Sequence, residues 1–439
     1  MINKFLSNIK ITGRTVVLPL LISVLMLAEL TVPAFGEVVP VGGKNIQEPD
    51  VTAKGAILYC VNTDKVIYSK NTDTKFLPYS ITKLMTALIA AEKLPMDEKV
   101  TVSKKAAEQG GSTMSLQEGE VVTVKQLLYG TLILSGNDAA YALAETCGGT
   151  EKHFVKMMND RAKEMGCTST HFANPNGLTD DISSHYTTAS DFLKITKAAM
   201  DNSVVKKISG TRKYSMSATN KREEEVFKTH LPLHNNKKSG VVAGKTGFWD
   251  EENCTVAVYY DKNNLEMIEI LLDDTEKERP NDMKALFKYG SKVVPGFRAA
   301  EKGEVEGKLW IAGGAITRVP VVAEKSVYSY PANNKKSSVK TKLVRNKNVS
   351  GPLKKGQTVG TLKVYTSGKL TASTPVKAAR DVRKGWFPSK LYISNLAFVI
   401  ILLVLLLICL LVRIRKINSA RRRRKRRRKG KRRQGRPGR

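Results

Sequence analysis

The spacing of apolar positions divides the chain into a strand-like region, a helical region and a second strand-like region. Residues 54–69 hold two β-type runs separated by Asn62-Thr63-Asp64-Lys65, which predicts a hairpin. Apolar residues then recur with a helical period from residue 81 until Pro95 ends the pattern. Further helices are predicted at about 123–135, 137–147, 150–165, 188–201 and 280–294, and further strands at 254–260 and 265–272. Thr188, with Asp191 three residues later, resembles a capping box with Asp in place of Glu at the start of the helix at 188–201.

Strands at both ends of this region, with helices between them, predict one antiparallel sheet built from distant chain segments. The fold class is therefore α+β, with helices flanking the sheet and an all-helical subregion. Pro295-Gly296 marks a change of unit, and residues 305–385 are rich in Val, Thr, Lys, Gly and Pro without a helical period. We expect a first domain at residues 37–300 and a small β-rich domain at residues 301–390.

The N-terminus has the pattern of a secretory signal peptide. Lys4, Lys10 and Arg14 precede a short apolar run, and Ala34-Phe35-Gly36 supplies the small residues that a signal peptidase needs. Residues 1–36 are therefore predicted to be a signal peptide cleaved near Gly36, with an uncleaved signal anchor as the alternative.

The C-terminus has the pattern of a membrane anchor. Residues 391–412 are predicted to form a transmembrane helix, because the 21 residues from 392 to 412 carry no charge. The tail at residues 413–439 holds 17 basic and no acidic residues, and self-repulsion should prevent it from folding alone. Since positive residues beside a span stay in the cytoplasm, we expect a single-pass membrane protein with residues 37–390 outside.

The excess of positive charge is confined to the C-terminal part of the chain. The formal net charge is +33 over 439 residues, yet residues 37–320 have a net charge of zero. Anionic membrane lipids are the expected partner of the tail, and nucleic acid is the alternative polyanion. No specific nucleic acid is expected, because the largest folded region is neutral.

The five cysteines lack CxxC or metal-type spacing, and one of them lies inside the predicted span. The other four are interpreted as buried free thiols, with disulfides as the alternative. These four are Cys60, Cys147, Cys167 and Cys254.

Ser80-Ile81-Thr82-Lys83 stands immediately before the strongest helical period. A serine and a lysine three residues apart at a helix N-terminus share one face, with the hydroxyl at the positive end of the helix. A lysine held neutral there can accept the hydroxyl proton, so the pair can act as nucleophile and base. Alone the pair is a weak signal, because a serine before a helix is commonly an N-cap.

Two further motifs follow in a fixed order. Ser135-Gly136-Asn137 comes after an apolar run and opens a helix, and Lys245-Thr246-Gly247 follows a glycine-rich stretch just before a predicted strand. The order S-x-x-K, S-x-N, K-T-G is the signature of penicillin-recognising serine enzymes. Chance alone does not account for three such motifs in order in an exported chain.

On these motifs the sequence resembles the low-molecular-mass penicillin-binding proteins of the D-alanyl-D-alanine carboxypeptidase type, from about residue 54 to residue 387. The likeness includes His171-Phe172-Ala173-Asn174-Pro175-Asn176-Gly177-Leu178 and, in the β-rich domain, Gly385-Trp386-Phe387. The resemblance implies a β-lactamase/transpeptidase-like fold without a metal or other cofactor. It also implies removal of the terminal D-alanine from peptidoglycan stem pentapeptides through an acyl-enzyme, with inhibition by β-lactams.

Matched motif by motif, the resemblance implies a role for each site residue. The catalytic set comprises Ser80 as nucleophile, Lys83 as general base, Ser135 as proton relay, Asn137 as orienting amide and Lys245 as the charge that helps to keep the base neutral. The substrate-binding set comprises Thr246 and Arg279 for the terminal carboxylate, with Gly247 and the backbone of Phe248 beside it. Backbone N–H groups of Ser80 and Phe248 would form the oxyanion hole.

The sequence departs from the family pattern near the third motif. The family usually has Thr two residues after the K-T-G glycine, where this chain has Phe248-Trp249, and the Asp often found three residues before the lysine is replaced by Val242. Relatives commonly carry an amphipathic helix at the C-terminus instead of an apolar span.

Alternative readings use the same residues. A D,D-endopeptidase or a β-lactamase would need the same motifs. A non-catalytic cell-wall binding protein is the alternative hypothesis in which the chain is not an enzyme. Arg279 could instead form a surface ion pair with Glu276 or Glu278. His171 and His185 are interpreted as loop or core histidines with satisfied hydrogen bonds.

Overall fold

The computed structural model describes residues 46–236 and 238–434, so the predicted signal peptide lies outside the described residues. The strands of the first domain are β1 Gly55–Cys60, β2 Lys65–Lys70, β3 Lys99–Thr101, β4 Val121–Thr123, β5 Lys213–Met216, β6 Glu225–Lys228, β7 Val241–Asp250, β8 Asn253–Lys262 and β9 Leu265–Asp274. Its α-helices are α1 Lys83–Lys93, α2 Lys104–Ala107, α3 Val124–Tyr129, α4 Asn137–Gly148, α5 Glu151–Glu164, α6 Ala189–Asp201, α7 Ser203–Ser209 and α8 Arg279–Val293.

The central sheet has five antiparallel strands in the order β2-β1-β9-β8-β7. β1 forms the predicted hairpin with β2 and also pairs with β9, about two hundred residues later in the chain. β8 and β9 are apolar over most of their length because both faces of the sheet are covered. One face packs on α8 and the other on the helical subregion, which confirms the α+β prediction.

Local side-chain bonds fix the starts of the helices near the cleft. The Thr188 hydroxyl accepts from the Asp191 N–H, so the predicted cap of α6 is present. Thr123 and Gln126 form a reciprocal capping box at α3. The helix predicted at 123–135 is α3 followed by a π-helical turn, Gly130–Leu134, which ends at Ser135.

A second sheet forms the β-rich domain. Its strands are β10 Phe297–Ala300, β11 Val305–Trp310, β12 Arg318–Ala323, β13 Val327–Ser329, β14 Val339–Arg345, β15 Thr358–Thr366 and β16 Lys369–Ala378. Five of them pair in the order β11-β12-β16-β15-β14, and β10 pairs with β13. β10 lies before the predicted domain boundary at residue 300, yet it pairs with β13 and therefore belongs to the β-rich domain. The helix α8 ends before Pro295-Gly296, so the chain has already left the first domain when β10 begins.

The C-terminal helix α9, Asn395–Gln434, is long and apolar enough to cross a membrane. It begins four residues after the predicted start of the span, because Phe387–Leu391 is a 3₁₀ turn and Tyr392 is left-handed. The helix also continues into the basic tail, which charge repulsion alone predicted to be unfolded. An existing helix needs no new nucleus, and Arg and Lys are good helix formers.

The thiols are free, as predicted from their spacing. Cys60, Cys167 and Cys254 are buried, and Cys147 is half-buried. Burial raises the pKa of Cys167 to about 12 and that of Cys254 to about 11. These thiols therefore contribute apolar packing and stay protonated.

Candidate active site

Ser80 lies in a single 3₁₀ turn, Tyr79–Thr82, and Lys83 is the first residue of α1. This turn places the two side chains on one face, with Lys83 Nζ 2.8 Å from Ser80 Oγ. The structure therefore brings the predicted nucleophile and base into hydrogen-bond contact.

Lys83 has no exposed surface. Its Nζ also contacts Asn137 Oδ1 at 2.7 Å and the backbone oxygen of Asn176 at 2.8 Å. Burial, followed by the charge of Lys245, holds the pKa of Lys83 well below its usual range, although Asp138 opposes this shift. An amine in this environment can be neutral and act as a base.

The second motif forms the wall of the cleft on the helical side. Ser135 has a left-handed backbone (φ 63°) where the π-helical turn ends, and Asn137 is the first residue of α4. Asn137 Nδ2 donates to the backbone oxygen of Gly110 at 2.7 Å. This bond fixes the amide orientation, so that the oxygen of Asn137 faces Lys83.

Asp138 is a buried support that the sequence did not single out. Its carboxylate accepts from the backbone N–H groups of Met114 and Leu116 at 3.0 Å. The loop that precedes β4 is thereby attached to the start of α4. A carboxylate holding backbone N–H groups has no signature in one sequence, since any acidic residue in a helix looks alike.

The third motif lies within the edge strand β7 and not before a strand, as its position after the glycine-rich stretch had suggested. Lys245 is buried, and its Nζ donates to Ser135 Oγ at 2.9 Å and to the Thr246 backbone oxygen at 2.6 Å. Burial, followed by the charge of Arg279, lowers the pKa of Lys245 to about 7. The Lys245–Ser135 bond joins the sheet to the helical wall across the cleft.

Arg279, the first residue of α8, is buried beneath the same strand. Its Nη1 donates to the backbone oxygens of Gly247 at 3.0 Å and Thr255 at 3.3 Å. Within the described residues it forms no ion pair with Glu276 or Glu278, so the surface-pair alternative is wrong. The guanidinium supports the strand that carries Thr246, which is half-buried.

Gly247 is required by close packing against the nucleophile turn. A Cβ at this position would lie 3.0 Å from the Pro78 oxygen and 3.0 Å from the Tyr79 Cβ, and would clash with the Thr255 hydroxyl. Thr255 Oγ1 itself donates to the Pro78 oxygen at 2.9 Å. β7 and the turn before Ser80 are therefore in direct contact.

Asn176 is the site residue that sequence reasoning missed. Its contribution is a backbone oxygen, and the Asn174-Pro175-Asn176-Gly177 stretch indicated only a turn. Gly177 is left-handed (φ +80°) and packs so closely on Tyr79 that a Cβ would clash with its backbone oxygen. The turn is thus held beneath the nucleophile, where its carbonyl reaches Lys83.

His185 is a core residue, as predicted. It is fully buried, with Nε2 3.0 Å from Thr82 Oγ1 and Nδ1 accepting from the Ala173 N–H at 3.1 Å. Burial, and then the proximity of His171, lower the pKa of His185 to about 4, so the ring is neutral at physiological pH. Among the described residues, no His, Cys, Asp and Glu side chains cluster as a metal site.

Two family models match the chain. One is described as D-alanyl-D-alanine carboxypeptidase and matches residues 43–276. The other is described as penicillin-binding protein 5, C-terminal domain, and matches residues 297–384.

Individual relatives give the same result. DacF of Bacillus subtilis, a D-alanyl-D-alanine carboxypeptidase, is 32% identical over 353 residues, covering 79% of this chain and 90% of that protein. DacC of Escherichia coli is 27% identical over 368 residues, covering 80% and 89%.

Solved structures resemble the fold as well. Penicillin-binding protein 5 of Haemophilus influenzae superposes with a TM-score of 0.54 and 27% identity, over 77% of this chain and all of that one. The Streptomyces K15 DD-transpeptidase has a TM-score of 0.52 and 29% identity, over 56% of this chain and 99% of its own.

The fold, with a serine and a buried lysine in its cleft, defines a penicillin-recognising serine hydrolase. The chain belongs to the D-alanyl-D-alanine carboxypeptidase family, which confirms the resemblance drawn from the three motifs. It is a serine-type carboxypeptidase that acts on peptidoglycan peptides through an acyl-enzyme and binds β-lactams. The alternative hypotheses of an endopeptidase, a β-lactamase or a non-catalytic binding protein are not favoured.

Proposed function

We propose that Ser80 is the nucleophile of this carboxypeptidase and that neutral Lys83 is its general base. The observation that carries this proposal is the set of three partners around Lys83 Nζ. A neutral amine has two N–H bonds and one lone pair. The amide oxygen of Asn137 and the backbone oxygen of Asn176 can only accept, so the two N–H bonds point to them and the lone pair faces the Ser80 hydroxyl.

The acylation step follows from this orientation. Ser80 Oγ forms a bond to the carbonyl carbon of the penultimate D-alanine while its proton passes to Lys83 Nζ. The tetrahedral oxyanion is held by the backbone N–H groups of Ser80 and Phe248. Collapse breaks the peptide C–N bond, and the leaving D-alanine nitrogen takes, through Ser135, the proton that Lys83 had accepted. Water later attacks the acyl-serine ester, which releases the shortened peptide as a carboxylic acid and restores the Ser80 hydroxyl.

Lys245 and Arg279 supply positive charge on the sheet side of the site. Lys245 lowers the pKa of Lys83 and orients the Ser135 hydroxyl through their 2.9 Å contact. The terminal carboxylate binds at Thr246 and Gly247, beside the strand that Arg279 supports from beneath. The positive charge of Lys245 and Arg279 beside this position thus favours an anionic substrate.

Release of D-alanine from a stem pentapeptide, together with labelling by a fluorescent penicillin, tests the assignment. Ser80→Ala should abolish both and leave the melting curve unchanged, because Ser80 accepts no helix-capping bond. Ser183→Ala, at an exposed serine, is the matched control and should retain both activities. Labelling that persists in Ser80→Ala would place the nucleophile elsewhere.

We also propose that α9 crosses the membrane once, with the two domains outside and the basic tail on anionic lipids of the cytoplasmic leaflet. The exposed apolar surface of α9, followed directly by basic residues, supports this orientation. Protease added outside intact cells should leave the tail uncut. Neutralising the arginines of residues 421–428 should weaken binding of the tail to anionic vesicles. A tail that binds nucleic acid but not anionic vesicles would refute the assignment to lipids.

A further inference from the structure

Exposed apolar side chains surround the point where the chain enters α9. Trp386, Phe387 and Leu391 are 56%, 74% and 65% exposed, and Tyr392 follows them. We call these four residues the collar. Together with residues of the first two turns of α9, Trp386, Phe387 and Leu391 line one open apolar cavity. Exposed apolar surface of this kind marks an interaction site.

Hydrogen bonds fix the collar relative to the helix. Asn395 Oδ1 accepts from the Trp386 N–H at 3.0 Å, and the Asn395 N–H donates to the Ala315 oxygen in the β-rich domain at 3.1 Å. The Ile393 N–H donates to the Pro388 oxygen at 3.1 Å. The collar therefore cannot move away from the helix start without breaking these bonds.

The apolar part of α9 is slightly shorter than a bilayer core. Residues 396–412 comprise 17 residues before the first arginine of the tail. At 1.5 Å per residue they extend about 26 Å, against about 30 Å of hydrocarbon. The collar lies at the opposite end from the basic tail, where the remaining apolar depth has to be covered.

Arginine and aromatic side chains adjoin the collar on the β-rich domain. Arg345 Nη1 donates to the Tyr392 hydroxyl at 2.7 Å. The Arg318 guanidinium lies 5.3 Å from the centre of the Trp310 ring, which is also exposed. Aromatic rings with arginines beside them are typical of the headgroup level of a membrane.

We propose that the collar inserts into the outer leaflet, so that the β-rich domain rests directly on the phospholipid surface. Apolar collar side chains enter the acyl boundary, and Arg318 and Arg345 lie at the level of the phosphates. The inference rests on the proposed membrane span. It adds a second contact, which fixes the tilt of the folded unit on the membrane.

The three tryptophans of the chain allow a direct test. The full-length protein is reconstituted in phosphatidylcholine–phosphatidylglycerol vesicles that carry lipids brominated near the headgroup. One variant, W249F with W310F, keeps only Trp386, and a matched variant, W310F with W386F, keeps only Trp249. Bromolipids should quench Trp386 strongly and Trp249 not at all, while aqueous iodide should give the reverse order.

Failure of the collar and failure of the span give different results. Iodide quenching of Trp386 without bromolipid quenching, in protein that resists carbonate extraction, would overturn the collar and leave the span intact. Extraction by carbonate would overturn the span itself. Quenching of Trp249 by bromolipids would show that the assumed orientation of the folded unit is wrong.

A different observation, at the active site, supports a second inference. Tyr79 has a left-handed backbone (φ 49°), which a non-glycine residue keeps only when its surroundings hold it. Its ring is buried and stacks on Trp249, with centroids 5.9 Å apart and planes at 21°. Trp249 occupies the position where the family usually has Thr.

The stacked rings connect the two backbone segments of the proposed oxyanion hole. Tyr79 directly precedes Ser80, and Trp249 directly follows Phe248. We infer that Trp249 is a positioning residue that holds the two N–H groups at a fixed spacing through its contact with Tyr79. This inference rests on the proposed acylation mechanism.

Acylation kinetics with a β-lactam and a peptide ester test this role. Loss of one oxyanion donor lowers the rate about 10²- to 10³-fold, so displacement of a donor should lower the rate less. Trp249→Ala should therefore slow acylation about tenfold with little change in KM. Trp249→Phe should retain most of the rate, and Leu370→Ala, at an exposed apolar residue of the β-rich domain, is the control for loss of an apolar side chain far from the cleft.

A double substitution separates positioning from substrate contact. Tyr79→Ala with Trp249→Ala should be no slower than Trp249→Ala alone, because both remove the same stack. Additive losses, or a raised KM with unchanged kcat, would overturn the inference. Acylation that survives Ser80→Ala would instead refute the proposed nucleophile.

Discussion

Asp274 is a buried carboxylate whose replacement should stabilise the protein in a pH-dependent way. It lies at the end of β9, is 1% exposed, and accepts one bond, from the Thr275 N–H at 2.7 Å, while its other oxygen has no partner among the described residues. Burial, and then the nearby Asp282, raise its pKa from 3.8 to about 7.

The sign of the effect follows from proton binding. Between about pH 4 and pH 7 the unfolded chain loses the Asp274 proton while the folded protein keeps it, so the free energy of unfolding falls as pH rises. Across that interval the raised pKa is worth about 4 kcal/mol. Asp274→Asn removes this dependence of stability on pH, because an amide does not titrate. The amide NH₂ replaces the carboxylate oxygen that has no partner, so the number of unpaired buried groups does not increase.

Urea unfolding of the full-length protein in detergent, at pH 4.5 and pH 8, measures the effect. The variant should gain up to about 4 kcal/mol over the parent at pH 8 and much less at pH 4.5. Asp273→Asn is the matched control, since that half-buried carboxylate pairs with the exposed Lys54 at 3.0 Å and should matter by less than about 1 kcal/mol. An equal gain at both pH values would refute the reasoning.

Four further outcomes are expected. Lys83→Arg should lose acylation about 10²- to 10⁴-fold, because a guanidinium stays protonated; a near-normal rate of penicillin labelling would contradict a base at this position. Lys245→Ala should move the acid limb of the kcat/KM profile to higher pH, because the charge of Lys245 lowers the pKa of Lys83; an unmoved limb would remove that role. Arg279→Ala should raise KM for peptide far more than it slows acylation by a neutral ester, because the guanidinium supports the strand that binds the carboxylate and adds positive charge there; equal effects would argue against this role in carboxylate recognition. Alkaline carbonate should leave the chain in membranes, whereas deletion of residues 391–439 should give a soluble, active enzyme; a released full-length chain would contradict the span.

Much of the fold was predictable because its signals are local. The hairpin at 54–69, the helical period after Ser80 and the Thr188 cap of α6 all depend on residues near one another in sequence. The position of Lys245 within β7 was not predicted, because the glycines before it weaken a strand pattern.

The candidate site was predictable where side-chain chemistry defines it. Ser80, Lys83 and Asn137 belong to motifs of fixed spacing, and the structure brings them within hydrogen-bond distance. The Asn176 oxygen was missed because every residue has a carbonyl, and only the folded turn directs this one to Lys83. The contact between Tyr79 and Trp249 joins distant positions, so neither residue alone predicts it.

The pairing of β1 with β9 has a consequence for how activity reports on folding. Ser80 follows the β1–β2 hairpin, yet this hairpin joins the rest of the central sheet only through the pairing of β1 with β9, which closes a loop of roughly two hundred residues. Contacts of such long range form late and cooperatively. Covalent capture of a β-lactam therefore counts molecules in which both ends of the catalytic domain have met, so a labelled band measures the natively folded population as well as the presence of the nucleophile.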